Sequence, residues 1–459
     1  MKAFQFQALL QNDEWLSPAF VHLNKDGTVQ SIRSIPELDV TYENVDGYAL
    51  PGLQNAHSHA FQYAMVGMTE RHDLKENPDN FWSWRAAMYR LALSVNPDEM
   101  EAIAAQLYSE MLRHGYTSVA EFHYLHHDKN GQPYANLAEL GSRLIVAAQT
   151  AGIKITLVPI FYQKGGFGEN SGRNQRRFIS KKLDDYLKLF VASQAATKNY
   201  HFANTAYGVH SLRAVEPLLI KEMQSVVDHN LPFHLHVAEQ LKEIKDSLDY
   251  LQQRPVEWLL DNINLNENFH LVHATHLTEA ETLRLAKTGA NVVLCPSTEG
   301  NLGDGIFNLK KYQDVGGNWS IGTDSHVGLN PFEELRILDY GKRMTTHQRN
   351  TFINAQQSDS GLFALQKSVI AGRKAMGNFN DNFFKQGESF DALVMDASAP
   401  LLQVTSFENL TSTIVYSSDV SMHLGTIVAG KWCVKNGRHL NAEKIQANFI
   451  KRLKSMNYR

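Results

Sequence analysis

From residue 49 to residue 322 the chain alternates short apolar or β-branched runs with stretches of helical periodicity. The runs are 49–53, 116–122, 154–161, 205–209, 233–238, 269–274, 292–295 and 319–322, with helical spacing at 97–114 and 137–151 among others. Strands that alternate with helices imply a parallel sheet, because parallel neighbours need a long crossover. Eight such units predict an α/β fold of the (β/α)8 barrel kind. A doubly wound open sheet is the rival. The placement of the polar residues described below favours the barrel.

Both flanks have a different texture. Runs at 19–23 and 28–32 bracket the turn residues Asn24-Lys25-Asp26-Gly27. Further short strands are expected at 392–396, 412–416 and 428–434, before a closing helix at 442–456. Two β-rich flanks around an α/β middle predict one small composite β-sandwich from 1–49 and 385–459, and a barrel domain at 50–384. Composition adds mainly exclusions. With 43% hydrophobic and 20% charged residues and a net charge of −4, the 459-residue chain reads as an ordinary soluble protein without a basic stripe for nucleic acid. Cys295 and Cys433 are too few and too scattered for a disulfide framework, which suits a reducing compartment. No apolar run nears the ~20 residues that span a bilayer, and the N-terminus lacks a signal core. The expectation is a cytoplasmic protein with neither membrane nor nucleic-acid partners.

The chemistry-bearing residues sit at the ends of the apolar runs. Leu50-Pro51-Gly52-Leu53-Gln54-Asn55-Ala56-His57-Ser58-His59 places two histidines two residues apart. In extended backbone such a pair points to one side and can aim two imidazoles at one point. The fifth run ends in His236, with Glu239 just beyond; the sixth ends in His273; the eighth is followed by Asp324. Taken singly, a strand-end histidine is an ordinary hydrogen-bonded residue, and Asp324 could cap a helix near Pro331. Taken together, these strand-end histidines and Asp324 can meet at one point, and three His with one Asp would hold a metal ion with a position left open for water.

This pattern resembles the amidohydrolase superfamily, which pairs His-x-His after strand one with His after strands five and six and Asp after strand eight. The end of strand four reads Tyr207-Gly208-Val209-His210-Ser211, without the lysine that bridges two metals in other members. The resemblance therefore implies one divalent ion per subunit, held by His57, His59, His236 and Asp324, with zinc favoured. It also implies catalytic roles for Glu239, His273 and Asp324. Longer stretches are similar to one branch, the N-formimino-L-glutamate deiminases of histidine degradation. They include Phe81-Trp82-Ser83-Trp84-Arg85, Tyr116 to His127, Gly208 to Val215 and Cys295 to Gly305. Tyr63 departs from this branch, where a basic residue is expected.

The branch implies a dicarboxylate formamidine substrate, releasing ammonia and N-formyl-L-glutamate, and a homodimer. Two carboxylates call for fixed guanidinium forks. Arg85 and Arg213 lie in the most discriminating stretches and are assigned to them, with Gln62, Tyr124 and His210 alongside. Another deaminase on the same barrel, acting on a nucleobase or a guanidino compound, is the alternative. Gly165-Gly166-Phe167-Gly168 lacks the Lys-Ser or Lys-Thr of a phosphate loop and reads as a lid or surface loop.

Overall fold

The structure, a computed structural model, describes residues 2–71, 80–349, 351–456 and 458. Eight parallel strands form the barrel sheet: Leu53–Ser58, Tyr116–His123, Lys154–Phe161, Tyr207–Ser211, Phe233–Val237, Phe269–His273, Asn291–Leu294 and Asn318–Ile321. The fourth is broken at Ala206, and its leading piece, Ala203–Thr205, pairs with the third strand. The strand interiors are almost entirely buried, which is why they read as continuous apolar runs and not as alternating ones.

The barrel closes where the eighth strand meets the first. Thr323 and Asp324 N–H groups both donate to His57 O at 3.1 Å, and His59 N–H donates to Asp324 O at 3.2 Å. Asn55 completes the seam, accepting from Thr323 N at 3.0 Å and donating to Thr323 Oγ1 at 2.7 Å. Gly322 is required here by space: a Cβ would lie 2.7 Å from His57 Cβ and 2.9 Å from its backbone N and O.

The first barrel strand starts later than expected. Residues 49–51 belong to Glu43–Pro51, a strand of the second sheet. Both segments are apolar, so hydropathy does not separate them. The change of sheet happens within one residue: Gly52 N–H donates to Asp391 O, and Leu53 N–H donates to Gly115 O. Gly52 allows this because a Cβ would strike the Thr117 side chain at 2.3–2.9 Å.

The second sheet joins the two flanks. Its order runs Arg438–His439, Lys431–Lys435, His423–Val428, Ala392–Asp396, Glu43–Pro51, Lys2–Leu10, Ala19–Leu23, Val29–Arg33. Phe4 meets Trp432 edge-on at 6.3 Å although four strand pairings separate them, so the sheet curls over its own core of Phe4, Phe6, Val21, Phe390 and Ile427. Two expectations fail in this region. The segment 412–416 lies inside a helix, Phe407–Ser417, because Leu410, Thr411, Ile414 and Val415 bury one face at helical spacing, and that packing overrides β-branched propensity. The segment 428–434 is a hairpin: Ala429 and Gly430, at φ 46° and 69°, turn His423–Val428 back into Lys431–Lys435. The closing helix, Ala442–Met456, is where it is expected. Among the described residues no helix is long and apolar enough to cross a membrane.

Substituting Gly322→Ala should therefore wedge the closing seam. We expect a loss of about 1–3 kcal/mol of stability in denaturant unfolding, with reduced metal retention because His57 is displaced. Wild-type stability would show that the seam tolerates the extra methyl group.

Candidate metal centre and active site

His57 and His59 leave the first strand at the closing seam, and Glu121 holds the turn that follows. Its carboxylate accepts from Ser58 Oγ at 2.7 Å, Ala60 N at 2.7 Å and Tyr108 OH at 3.0 Å. Burial raises the Glu121 carboxyl to about 7, against these donors. His236 ends the fifth strand and Asp324 follows the eighth.

Their donor atoms converge. His57 Nε2 lies 3.1 Å from His59 Nε2 and 3.0 Å from His236 Nε2; Asp324 Oδ1 lies 3.4 and 3.2 Å from the first two. The opposite ring nitrogens decide the tautomers. His59 Nδ1 donates to Phe122 O at 2.9 Å and His236 Nδ1 donates to His210 O at 3.1 Å, so both Nε2 atoms present lone pairs. His57 could offer one proton at most, and it faces two lone pairs and a carboxylate oxygen. Burial holds the His57 imidazole near 3, and burial followed by the neighbouring His57 holds His236 well below the ordinary range, so both rings are neutral. Asp324 stays ionised: burial opposes its charge, but His57 and His59 lower its carboxyl well below the usual range. Donors sharing one cation at ~2.0–2.2 Å sit roughly 3.0–3.5 Å apart. These four buried side chains therefore fit a metal ion.

His273, at the end of the sixth strand, stands beside them. Its Nδ1 lies 3.3 Å from Glu299 Oε1, and its Nε2 faces Glu239 Oε1 at 3.7 Å and Asp324 Oδ2 at 3.9 Å. Burial disfavours the imidazolium, but Glu239, Glu299 and Asp324 outweigh it and raise His273 to about 10. Burial raises the Glu239 carboxyl, with His273 and Arg213 working the other way. Glu299 is held in turn by Cys295 N at 3.0 Å, and Glu243 pins the backbone at Ala238 and Glu239 at 3.0 and 3.1 Å. Ala238, His273, Ala274 and Asp324 have φ of 54°, 69°, 49° and 43°, left-handed values that cost about 1 kcal/mol or more each without glycine.

One cavity contains His59, His236, Glu239, His273 and Asp324, and also Gln62, Arg85, Tyr124, His210 and Arg213. Every residue singled out in the sequence for substrate contact thus lines it. Arg213, its side chain 11% exposed, places Nη2 3.7 Å from Glu239 Oε2 and leaves Nη1 without a hydrogen-bond partner among the described residues. Arg85 lies over the rings of Trp82 and Tyr89 at 4.9 and 5.2 Å and has no ion-pair partner among the described residues. Gln62 Nε2 donates to Tyr124 OH at 2.9 Å. His210 contributes a neutral ring to the cavity, held uncharged by burial and then by Arg213.

His234 points away from the centre and bonds Ala375 O at 2.9 Å; His326 pairs with Thr323 Oγ1 at 2.9 Å. The glycine-rich segment forms a small hairpin, Lys164–Gly166 with Glu169–Asn170, beside Arg85 and Arg213 at the outer side of the cavity. Sequence reasoning did not assign Glu121, Glu299, Tyr89 or Tyr162. The first two fall inside stretches quoted above, but only the fold shows which atoms they hold.

Comparison with known proteins agrees with this geometry. A model of the amidohydrolase family matches residues 48–433. A formimidoylglutamate deiminase of Pseudomonas aeruginosa is 38% identical over 454 residues, 98% of each chain. A 5-methylthioadenosine/S-adenosylhomocysteine deaminase of Haloarcula marismortui is 25% identical over 83% of this chain and 79% of its own. Among solved structures, an amidohydrolase from Brucella melitensis has a TM-score of 0.92 at 36% identity, covering 99% of this chain and 100% of that one. An adenosine deaminase from Xanthomonas campestris with bound zinc has a TM-score of 0.81 at 19% identity over 100% and 98% of the two chains, a likeness of fold.

The two histidines of the fifth strand make an internal control for the metal centre. His236→Ala should purify with metal content reduced at least tenfold by elemental analysis, whereas His234→Asn should keep the wild-type content. Equal metal in both variants would remove His236 from the centre.

Proposed function

The chain belongs to the amidohydrolase family, and we propose that it is a formimidoylglutamate deiminase: a metal-dependent hydrolase that converts N-formimino-L-glutamate and water to N-formyl-L-glutamate and ammonia. The observation that carries this reading is the presence of Arg85 and Arg213 in the same cavity as His59, His236 and Asp324, which with the buried His57 form the metal-binding group. A diacid needs two cationic forks, and guanidinium supplies them in a fixed plane. The full-length relative from Pseudomonas aeruginosa supports the same substrate, whereas the nucleoside deaminases are more distant.

Zinc is the ion we assign, because three neutral imidazoles and one carboxylate suit it. When bound, it would supply Lewis acidity and make a water acidic enough to attack near neutral pH. The protein's own groups do the rest. Arg85 and Arg213 hold the two carboxylates and turn the formimino carbon toward the histidines. Asp324 takes a proton from the attacking water. Glu239, its carboxyl raised by burial, hands a proton to the departing nitrogen. His273, cationic between Glu239 and Asp324, faces the oxygen on which negative charge develops. Asp324 passes its proton to the same nitrogen while Glu239 takes back the hydroxyl proton, the carbon–nitrogen bond breaks with its electron pair on nitrogen, ammonia leaves, and the formyl group stays on the amino acid.

Ammonia release should be measured with N-formimino-L-glutamate and, in parallel, with guanine. We expect turnover of the diacid alone, with an N-formyl-L-glutamate product. Glu239→Gln should lower kcat by about 10²–10⁴-fold. Arg85→Met and Arg213→Met should each raise KM about tenfold to a hundredfold. Faster turnover of guanine, with both arginine variants unchanged, would overturn the diacid assignment.

A further inference from the structure

Two tyrosines of the cavity, Tyr89 and Tyr162, have no role in the chemistry above. Tyr89 lies one helical turn beyond Arg85 on the helix Phe81–Ser94, under the Arg85 guanidinium. Tyr162 follows the third barrel strand and packs its ring on His210 at 4.6 Å. Phe178 packs on both, at 5.8 and 5.5 Å, and fixes their orientation. Arg213 is electrostatically coupled to both phenols.

Gln175 joins them from outside the cavity. Its Nε2 lies 2.8 Å from Tyr162 OH and 3.3 Å from Tyr89 OH. The amide orientation is set by Oε1, which accepts from Gly172 N–H at 2.7 Å. A backbone N–H can only donate, so Oε1 belongs on that side and the amide nitrogen faces the phenols. The amide nitrogen has two protons and no lone pair to offer. It can give a proton to each phenol and take none back.

The consequence is a fixed direction of hydrogen bonding. Each phenol has one proton, and neither can return it to Gln175. If Tyr89 passes its proton to Tyr162, the Tyr162 proton must still go elsewhere. At least one O–H is therefore directed away from Gln175, and both side chains line the cavity that holds Arg85 and Arg213. Inside that cavity the complementary partner is an anionic acceptor.

We propose that Gln175 is a positioning residue for substrate recognition: by donating to both phenols it compels Tyr162, together with Tyr89, to present a hydroxyl proton to one substrate carboxylate beside the two arginines. The inference rests on the diacid reading and adds neutral donors, and the group that orients them, to the guanidinium pair. Gln175→Glu would reverse the polarity: one carboxylate oxygen would still accept from Gly172 N–H, and the other would draw the phenol protons toward itself and away from the cavity.

The test compares N-formimino-L-glutamate with two monoacids: N-formimino-L-norvaline, which lacks the side-chain carboxylate, and N-formimino-4-aminobutyrate, which lacks the α-carboxylate. For Gln175→Leu, Gln175→Glu and Tyr162→Phe we expect KM for the diacid to rise about tenfold with kcat within about threefold of wild type. With the monoacid that lacks the contacted carboxylate, the variants should match wild type. The Gln175→Leu and Tyr162→Phe double variant should be no worse than the poorer single, because both remove one interaction. A loss in kcat with unchanged KM, or an equal loss on all three substrates, would overturn the proposal. Should the Gln175 variants fail to fold, Tyr162→Phe alone decides by the same KM criterion. If the wild type releases no ammonia from the diacid, the functional reading falls first and takes this inference with it.

Discussion

Three imidazole nitrogens and a carboxylate oxygen, each 3.0–3.4 Å from its neighbours, form the constraint on which this molecule depends. Lone pairs so close repel one another, and in a buried place there is no water to relieve them. Only a shared cation turns that repulsion into attraction. The surrounding bonds serve the arrangement: Phe122 O and His210 O fix two tautomers, and Glu121 holds the turn that connects His57 to His59. The four donors come from the first, fifth and eighth barrel strands or the loops after them, so the centre reports on closure of the barrel.

Closure has its own demands. The seam between the eighth and first strands is narrow enough to exclude any side chain at Gly322, and Asn55 ties the two strands by both ends of its amide. Beyond the seam, His273 and Asp324 adopt left-handed backbone angles without the freedom of glycine. That strain is the cost of aiming these side chains inward at strand ends, and the bond from Asp324 N–H to His57 O and the contact of His273 Nδ1 with Glu299 hold them there.

Much of this was legible in the chain itself. Buried parallel strands leave continuous apolar runs, and polar residues at their carboxyl ends stand out against them, which is how His236, His273 and Asp324 could be picked from 20 histidines and 48 acids. Where two strands abut, as at Pro51-Gly52, hydropathy carries no mark of which sheet each joins. The segment 412–416 misled because its β-branched residues pack a helix face that only the tertiary contacts define. Glu299 and Gln175 are distinguished only by the direction of their hydrogen bonds, and the direction of a bond has no pattern along a sequence.

The most direct test of the centre is anomalous X-ray scattering from crystals of the protein as purified, recorded above and below the zinc edge. We expect one peak per chain, ~2.0–2.2 Å from the Nε2 atoms of His57, His59 and His236 and from Asp324 Oδ1. Absence of a peak, or a peak bound by other residues, would contradict it.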